Sequence, residues 1–217
     1  EDGLFVTRTS SGRELAGRTV ILATGKRWRR LGVPGEDEYV GRGVAYCAIC
    51  DAPFFKGKQV VVAGGGNSAF TAARDMLALG SPVTLVNLAD GWQADPLMVE
   101  RVRGRVEMLD ATRITEVVGD GAKLTGVRIA SRDGGAERIL PAQGLFIEIG
   151  LRPNTESFAD FVRCNDAGEV MVDCAARTSR PGVFGAGDCT DVPEKQIVVA
   201  AGDGAKAALA AFGHASR

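Results

Sequence analysis

Apolar residues in this chain gather into short, mostly unbroken runs set off by glycine, proline, asparagine and aspartate. Residues 4–7 and 19–23 (Leu-Phe-Val-Thr and Thr-Val-Ile-Leu-Ala) predict strands on either side of a polar turn at Ser10 to Gly12. Residues 58–87 predict a β-α-β unit: a strand from Lys58 to Ala63, a glycine turn, a helix reaching Leu79, and a strand from Pro82 to Asn87. A short helix follows at 95–103. Alternating segments at 105–109, 113–118, 124–130 and 137–140, broken by Gly119-Asp120-Gly121 and Asp133-Gly134-Gly135, then predict a β-meander. Residues 145–149 form a buried strand ending in Gly150, residues 169–184 supply two or three short strands, and a terminal helix runs from about Gln196 to Phe212. The runs at 19–23, 145–149 and 183–186 are of the kind covered on both faces in a parallel sheet.

Two stretches read as crossovers between domains. Lys26 to Gly43 is basic and then punctuated by Gly32, Pro34 and Gly35, and Arg152-Pro153-Asn154 marks the return. The insert between them holds a whole β-α-β unit and a meander, enough to close its own core. The 29 glycines sit at the ends of apolar runs, which fits strand-to-helix turns rather than a linker. With 26 basic and 27 acidic residues, and a net charge of -1, the chain offers no basic field for nucleic acid or an anionic membrane. No apolar run approaches a membrane span, and no signal peptide is seen, so a cytoplasmic protein is expected.

Candidate chemistry is concentrated in Cys47-Ala48-Ile49-Cys50-Asp51 and Val60-Val61-Val62-Ala63-Gly64-Gly65-Gly66-Asn67-Ser68-Ala69. Cysteines at i and i+3 can close a small disulfide loop. A glycine turn that follows an apolar strand and opens a helix can cradle a dinucleotide pyrophosphate, with Gly64, Gly66, Asn67, Ser68 and Ala69 at the turn. Asp51 is the acid beside the pair and can protonate a leaving thiolate, since the only histidine is His214. Zinc is not expected, because Cys164, Cys174 and Cys189 are widely spaced singletons; they read as buried thiols. A disulfide takes two electrons and a nicotinamide gives them as a hydride, so a flavin is expected between them, and with it a second cofactor site. Ala23-Thr24-Gly25 lets a backbone approach a ligand, although a simple strand-to-loop turn reads the same way. Gly187-Asp188 can place a carboxylate on a ribityl or ribose hydroxyl. The terminal helix would aim its N-terminal amides toward that site, although its alanines also suit close packing on a sheet. At the end of the second β-α-β strand Asn87 stands where a ribose-binding acid is expected, and residues 88–92 carry no arginine for a 2′-phosphate, which favours NADH over NADPH.

Ala-Thr-Gly at 23, Val-Pro-Gly-Glu at 33, Gly-Arg-Gly-Val at 41, Cys-Ala-Ile-Cys-Asp at 47, Gly-Gly-Gly-Asn-Ser-Ala at 64 and Gly-Ala-Gly-Asp-Cys at 185 resemble the low-molecular-weight thioredoxin reductases. Trp28 to Glu36, Phe55-Lys56-Gly57-Lys58 and Lys195 to Lys206 resemble still more closely the flavoprotein subunit of alkyl hydroperoxide reductase. The resemblance implies an α/β fold of two Rossmann-like dinucleotide-binding domains, an NAD(P)H domain (34–149) inserted in a truncated FAD domain (1–33 and 150–217). It implies a redox disulfide of Cys47 and Cys50, with Cys50 facing the flavin and Cys47 attacking the partner's disulfide, and Asp51 as proton donor. FAD would be held by Asp188 and by the helix start at Gln196 and Ile197. The partner would be a thioredoxin-like domain or a peroxiredoxin system, and the working form a homodimer. Phe70-Thr71 replaces the family's Val-Glu pair, Asn87 replaces its specificity element, and the chain begins after the family's opening FAD-binding β-α-β unit. A non-catalytic nucleotide-binding fragment unable to hold FAD is therefore the alternative expectation.

Overall fold

A computed structural model describes residues 3–216. The chain divides into two compact units: Glu1–Trp28 with Leu151–Arg217, and Arg29–Gly150. The inserted unit begins earlier than residue 34 because Leu31 and Val33 already pack against its core.

The first unit opens with a hairpin of β1 (Phe5–Arg8) and β2 (Glu14–Gly17), followed by β3 (Val20–Leu22) and β4 (Lys26–Trp28). The chain then builds the second unit. Its parallel sheet collects β5 (Val44–Ala45), β6 (Val60–Ala63), β7 (Val83–Val86), β8 (Glu107–Leu109) and, later in the chain, the strand Gly144–Ile147. Between them lie α1 (Ala48–Asp51), α2 (Asn67–Ala78) and α3 (Pro96–Val102). The meander is antiparallel: β9 (Thr112–Gly119), β10 (Leu124–Ser131) and β11 (Arg138–Pro141), after which Gly144–Ile147 is β12. In the sheet the order is β5-β12-β6-β7-β8.

The apolar runs of β6, β7 and β12 are buried at every position because this sheet is covered on both faces. Val60, Val62, Leu85 and Phe146 join Ala69, Phe70, Ala73 and Met76 of α2 in one core cluster. Val61, Ala63, Leu145 and Ile147 point the other way, onto Ile114, Val117, Val127 and Leu140 of the meander.

The segment at 105–109 does not belong to the meander. It continues the doubly wound pattern as β8, parallel to β7, with Met108 packed on the helix-side core. Ala111, at a positive φ of 42°, turns the chain out of this sheet and into β9.

The chain returns to the first unit through β13 (Leu151–Pro153), antiparallel to β4, and then β14 (Val183–Gly185), parallel to β3. Only β14 forms a ladder within 169–184; the rest makes single bridges such as Arg177 with Phe184. Asn165 and Asp173 explain the difference. Their side-chain oxygens accept from the Ala167 and Glu169 amides and from the Ala175 and Arg177 amides, holding turns where strand pairing was expected. The terminal helix α4 (Ile197–Ala215) runs three residues beyond Phe212, buries Ala207 and Ala211 against Phe184 and Ala186, and starts from Gln196 as cap. Among the described residues no helix is long and apolar enough to cross a membrane.

Candidate active site

The cysteine pair follows a buried and tethered lead-in. β5 is fully buried, and the next residue, Tyr46, is tethered through its hydroxyl to Glu36 (2.6 Å). Glu36 is 2% exposed and also accepts from the Leu31 and Gly32 amides (3.2 and 2.7 Å), with Arg30 at 3.5 Å. Burial pulls this carboxyl upward, but the hydrogen bonds from Tyr46, Gly32 and Leu31 outweigh it and hold the carboxyl below its ordinary range. Burial, then the carboxylate partner, push the Tyr46 phenol up to about 12, so it stays a donor.

Cys47 and Cys50 form a disulfide with Cα atoms 5.2 Å apart. Cys47 caps α1: its carbonyl accepts from the Cys50 and Asp51 amides (3.1 and 3.0 Å) and its sulfur lies 3.3 Å from the Cys50 nitrogen. Cys47 is half-buried and Cys50 exposed. Ile49 and Phe54, 70% and 72% exposed, leave an apolar rim beside them. Asp51 is half-buried, and among the described residues no group pairs with its carboxylate. The other cysteines are not uniformly buried: Cys189 is, Cys164 is half-buried, and Cys174 is exposed. Among the described residues no cluster of three or more His, Cys, Asp or Glu could hold a metal.

The glycine turn divides its labour in space. Gly64 has φ +140°, and a Cβ there would collide with the Glu148 carbonyl oxygen. A Cβ at Gly65 would lie 2.6 Å from Gln93 Oε1 and inside the Asn87 amide. Gly66, the cap of α2, has nothing within 4 Å of its missing Cβ, so this face of the turn is open. Asn67 and Ser68 are exposed in the first helical turn, whose amides have no partner within a helix, while Ala69 is fully buried against the sheet. Asn67 Oδ1 also accepts from the Asp95 amide at 2.8 Å.

Asn87 is 6% exposed, and its amide group donates to the Gly91 carbonyl (2.6 Å) and to Gln93 Oε1 (3.2 Å). It therefore holds the 89–93 loop, with its donors committed to protein. Arg132, from the end of β10, reaches this loop and pairs with Asp90 at 2.9 Å. The cysteines follow β5, Glu148 follows β12, the glycine turn follows β6 and Asn87 follows β7. Four adjacent parallel strands thus present them along one carboxyl edge.

Glu148 carries no signal in its spacing beyond being an acid in an apolar run. Its Oε1 accepts from the Ala48 amide at 3.3 Å. Burial pushes its carboxyl up to about 7, opposed only by that hydrogen bond.

The remaining candidates lie in the first unit. β3 and β14 are parallel neighbours, so Ala23-Thr24-Gly25 and Ala186-Gly187-Asp188 leave the sheet at the same edge, joined by the Ala186 amide on the Leu22 carbonyl (2.9 Å). Thr24 and Gly25 are laced to Asn154: the Thr24 hydroxyl donates to the Asn154 carbonyl (2.6 Å) and the Asn154 side chain to the Thr24 carbonyl (2.9 Å). Gly187 has φ +68° and lets Ala200 of α4 approach. Asp188 is half-buried, with no partner for its carboxylate among the described residues. Gln196 is exposed, and Ile197 is 91% exposed at the helix start. Asp203, on the buried face of α4, pairs one oxygen with Lys206 (3.1 Å) and leaves Oδ2 buried without a partner among the described residues.

The family model for pyridine nucleotide-disulphide oxidoreductases matches residues 2–204. An alkyl hydroperoxide reductase subunit of Xanthomonas campestris pv. phaseoli is 47% identical over 218 residues, covering 100% of this chain and 41% of that protein. Its namesake in Escherichia coli (strain K12) is 44% identical over 219 residues, covering 100% and 42%. Among solved structures, the thioredoxin reductase of Giardia duodenalis matches with a TM-score of 0.86 at 36% identity, covering 96% of this chain and 69% of that one. The T. acidophilum thioredoxin reductase matches with a TM-score of 0.70 at 38% identity, covering 100% and 72%. The chain spans about two fifths of the length of the curated relatives it matches. Its fold, its sequence motifs and these matches agree: the chain belongs to the pyridine nucleotide-disulphide oxidoreductase family.

Proposed function

We propose that the Cys47–Cys50 disulfide is the redox centre of an FAD-dependent NAD(P)H:disulfide oxidoreductase whose acceptor is a thioredoxin-like or peroxiredoxin-linked disulfide. The observation that carries this reading is the disulfide's position on the same sheet edge as an open glycine turn.

The residues of the second unit suit a nicotinamide dinucleotide. Gly64 and Gly65 bring the backbone to the end of β6, Gly66 leaves room for a pyrophosphate, and the α2 dipole with the first-turn amides of Asn67, Ser68 and Ala69 favours its charge. In the first unit the Gly187 turn, the Ala23-Thr24-Gly25 segment, the α4 start at Gln196 and Ile197, and the Asp188 carboxylate and Asp203 Oδ2, both without a partner among the described residues, suit a ribityl flavin. FAD, when bound, supplies the two-electron relay between a nicotinamide and a disulfide. In the dithiol, Cys47 is the attacking sulfur, because it caps the α1 turn and shares its amide field, and Asp51 holds the proton for the leaving thiolate. Ile49 and Phe54 offer the acceptor an apolar landing. A homodimeric working form belongs to the same reading, supported by Leu209 and Phe212, 75% and 74% exposed on α4.

A single turnover of the flavin-loaded protein with NADH and a thioredoxin-like domain tests it. Two thiols appear on the acceptor with Cys47 present and none with Cys47→Ser; an acceptor that stays oxidised with the unaltered protein removes the proposal.

One observation favours the alternative of a nucleotide-binding module that does not retain FAD. Among the described residues β3 and β14 form a ladder only with each other, with a single bridge from Arg177 to Phe184 beside it, and Ile21 of β3 is 40% exposed. A chain that binds NADH yet stays colourless after supply of FAD supports that alternative.

A further inference from the structure

Glu148 is the only acid in the stretch from Leu145 to Ile149, and the fold puts it where a charge has consequences. Its backbone amide is fixed to the Ala63 carbonyl at 2.8 Å, at the end of β6. Its side chain turns to α1, where it takes the amide of Ala48, the residue after Cys47. That amide belongs to the turn capped by the Cys47 sulfur.

Among the described residues no ion pair compensates Glu148. The titratable groups on the surrounding elements are Asp51 on α1 and Tyr46 before it, whose phenol is held by Glu36, while Arg29 lies beside Gly150. The end of β6 and the start of α2, at Ala63, Gly64 and Ala69, bring none.

We propose that Glu148 is a positioning residue that sets the pH at which Cys47 becomes a nucleophile, by occupying the Ala48 amide and opposing the thiolate with its own charge. Opening of the pair by an external dithiol breaks the Cys47–Cys50 bond and forms one disulfide in the reductant. Two electrons and two protons pass to the pair. With Glu148 protonated, the Ala48 amide meets only a neutral oxygen and no like charge opposes a Cys47 thiolate. With Glu148 ionised, that amide is taken and two like charges share the turn, which raises the thiol's pKa. The coupling is mutual, so a Cys47 thiolate also holds the proton on Glu148 more tightly. The raised carboxyl of Glu148 brings this exchange into the neutral range.

The inference rests on the reading of Cys47 as the attacking sulfur, but its test needs neither flavin nor nicotinamide and so stands or falls separately. The 217-residue chain is reduced with dithiothreitol, freed of reductant, and alkylated with iodoacetamide across a pH series, with modification at Cys47 counted by mass spectrometry. Glu148→Gln moves the Cys47 midpoint down by about one pH unit, which is about tenfold more thiolate at a pH below both midpoints. A midpoint that is unchanged or higher overturns the proposal. Should the variant not fold, the carbon-13 titration of Glu148 in the unaltered chain decides: its midpoint rises when the disulfide is reduced, and an unchanged midpoint overturns the proposal.

Discussion

The glycine turn can be separated into a folding part and a binding part by two alanine substitutions two residues apart. At Gly64 an alanine meets two penalties: a φ of +140°, which side chains avoid, and a backbone oxygen, that of Glu148, in the space its methyl needs. The strain costs about 1–3 kcal/mol and the overpacking about as much again, so Gly64→Ala loses roughly 2–6 kcal/mol. That is a large share of the ~5–15 kcal/mol that holds an ordinary domain together. At Gly66 the backbone is ordinary (φ −94°, ψ −177°) and the space is open, so Gly66→Ala loses only the advantage of glycine over alanine as the α2 cap, about 0.5–1 kcal/mol. Its methyl instead projects where the pyrophosphate backbone contact is expected, and NADH affinity falls at least about tenfold. Urea unfolding followed by Trp92, which packs edge-on to Phe70 at 5.3 Å within the same unit, reads the first quantity, and NADH titration reads the second. A Gly66→Ala protein as destabilised as Gly64→Ala, or one that binds NADH like the unaltered chain, refutes the reasoning.

Other consequences are equally open to measurement. The Glu148 carboxyl titrates at about 7 in the fold against 4.5 ordinarily, so its favourable contribution is complete below about pH 4.5 and lost as pH rises through 7. Glu148→Gln removes that loss and stabilises the chain at pH 8 by about 1–2 kcal/mol after allowance for solvent screening, with no gain at pH 4; equal urea midpoints at pH 8 argue against it. NADH is expected to bind more tightly than NADPH, because Asn87 is committed to its loop and Arg132 to Asp90 and Asp133, and Asp90→Ala combined with Asp133→Ala, which releases Arg132, narrows the gap. A lower dissociation constant for NADPH in the unaltered chain counts against this. Residues 1–217 expressed alone purify without stoichiometric FAD, since β3 and β14 form a two-stranded sheet and Asp188 and α4 lack a pyrophosphate turn beside them among the described residues. A yellow, monodisperse preparation with one flavin per chain shows the contrary.

The parts of the fold that could be read from the sequence are those where local pattern and tertiary surroundings agree. β6, α2 and β7 follow from an apolar run, a glycine turn and a helical repeat, and the meander from its glycine hairpins. The pairing of Cys47 with Cys50 needed only their spacing and the resemblance. What could not be read depends on residues distant in sequence. β5 has two residues and is a strand only because β12 lies beside it. β8 looks like part of a meander until β7 offers it a parallel edge. In the 169–184 segment the strand propensity of Val170 to Val172 yields to side-chain turns at Asn165 and Asp173. In the site, Asn87 stands at the strand end where a ribose contact is expected, but its burial and its partners are tertiary facts. Glu148 meets Ala48 across 100 residues of chain, a separation for which the sequence holds no periodic signal.

The order of electron transfer is the centre of the account, and Cys50→Ser tests it most directly. In the flavin-loaded protein carrying this variant, NADH is expected still to bleach the flavin absorption at the unaltered rate while reduction of a disulfide acceptor is abolished, because in the proposed order the pair acts only after the flavin. Loss of flavin reduction by NADH in that variant, or continued reduction of the acceptor, contradicts it.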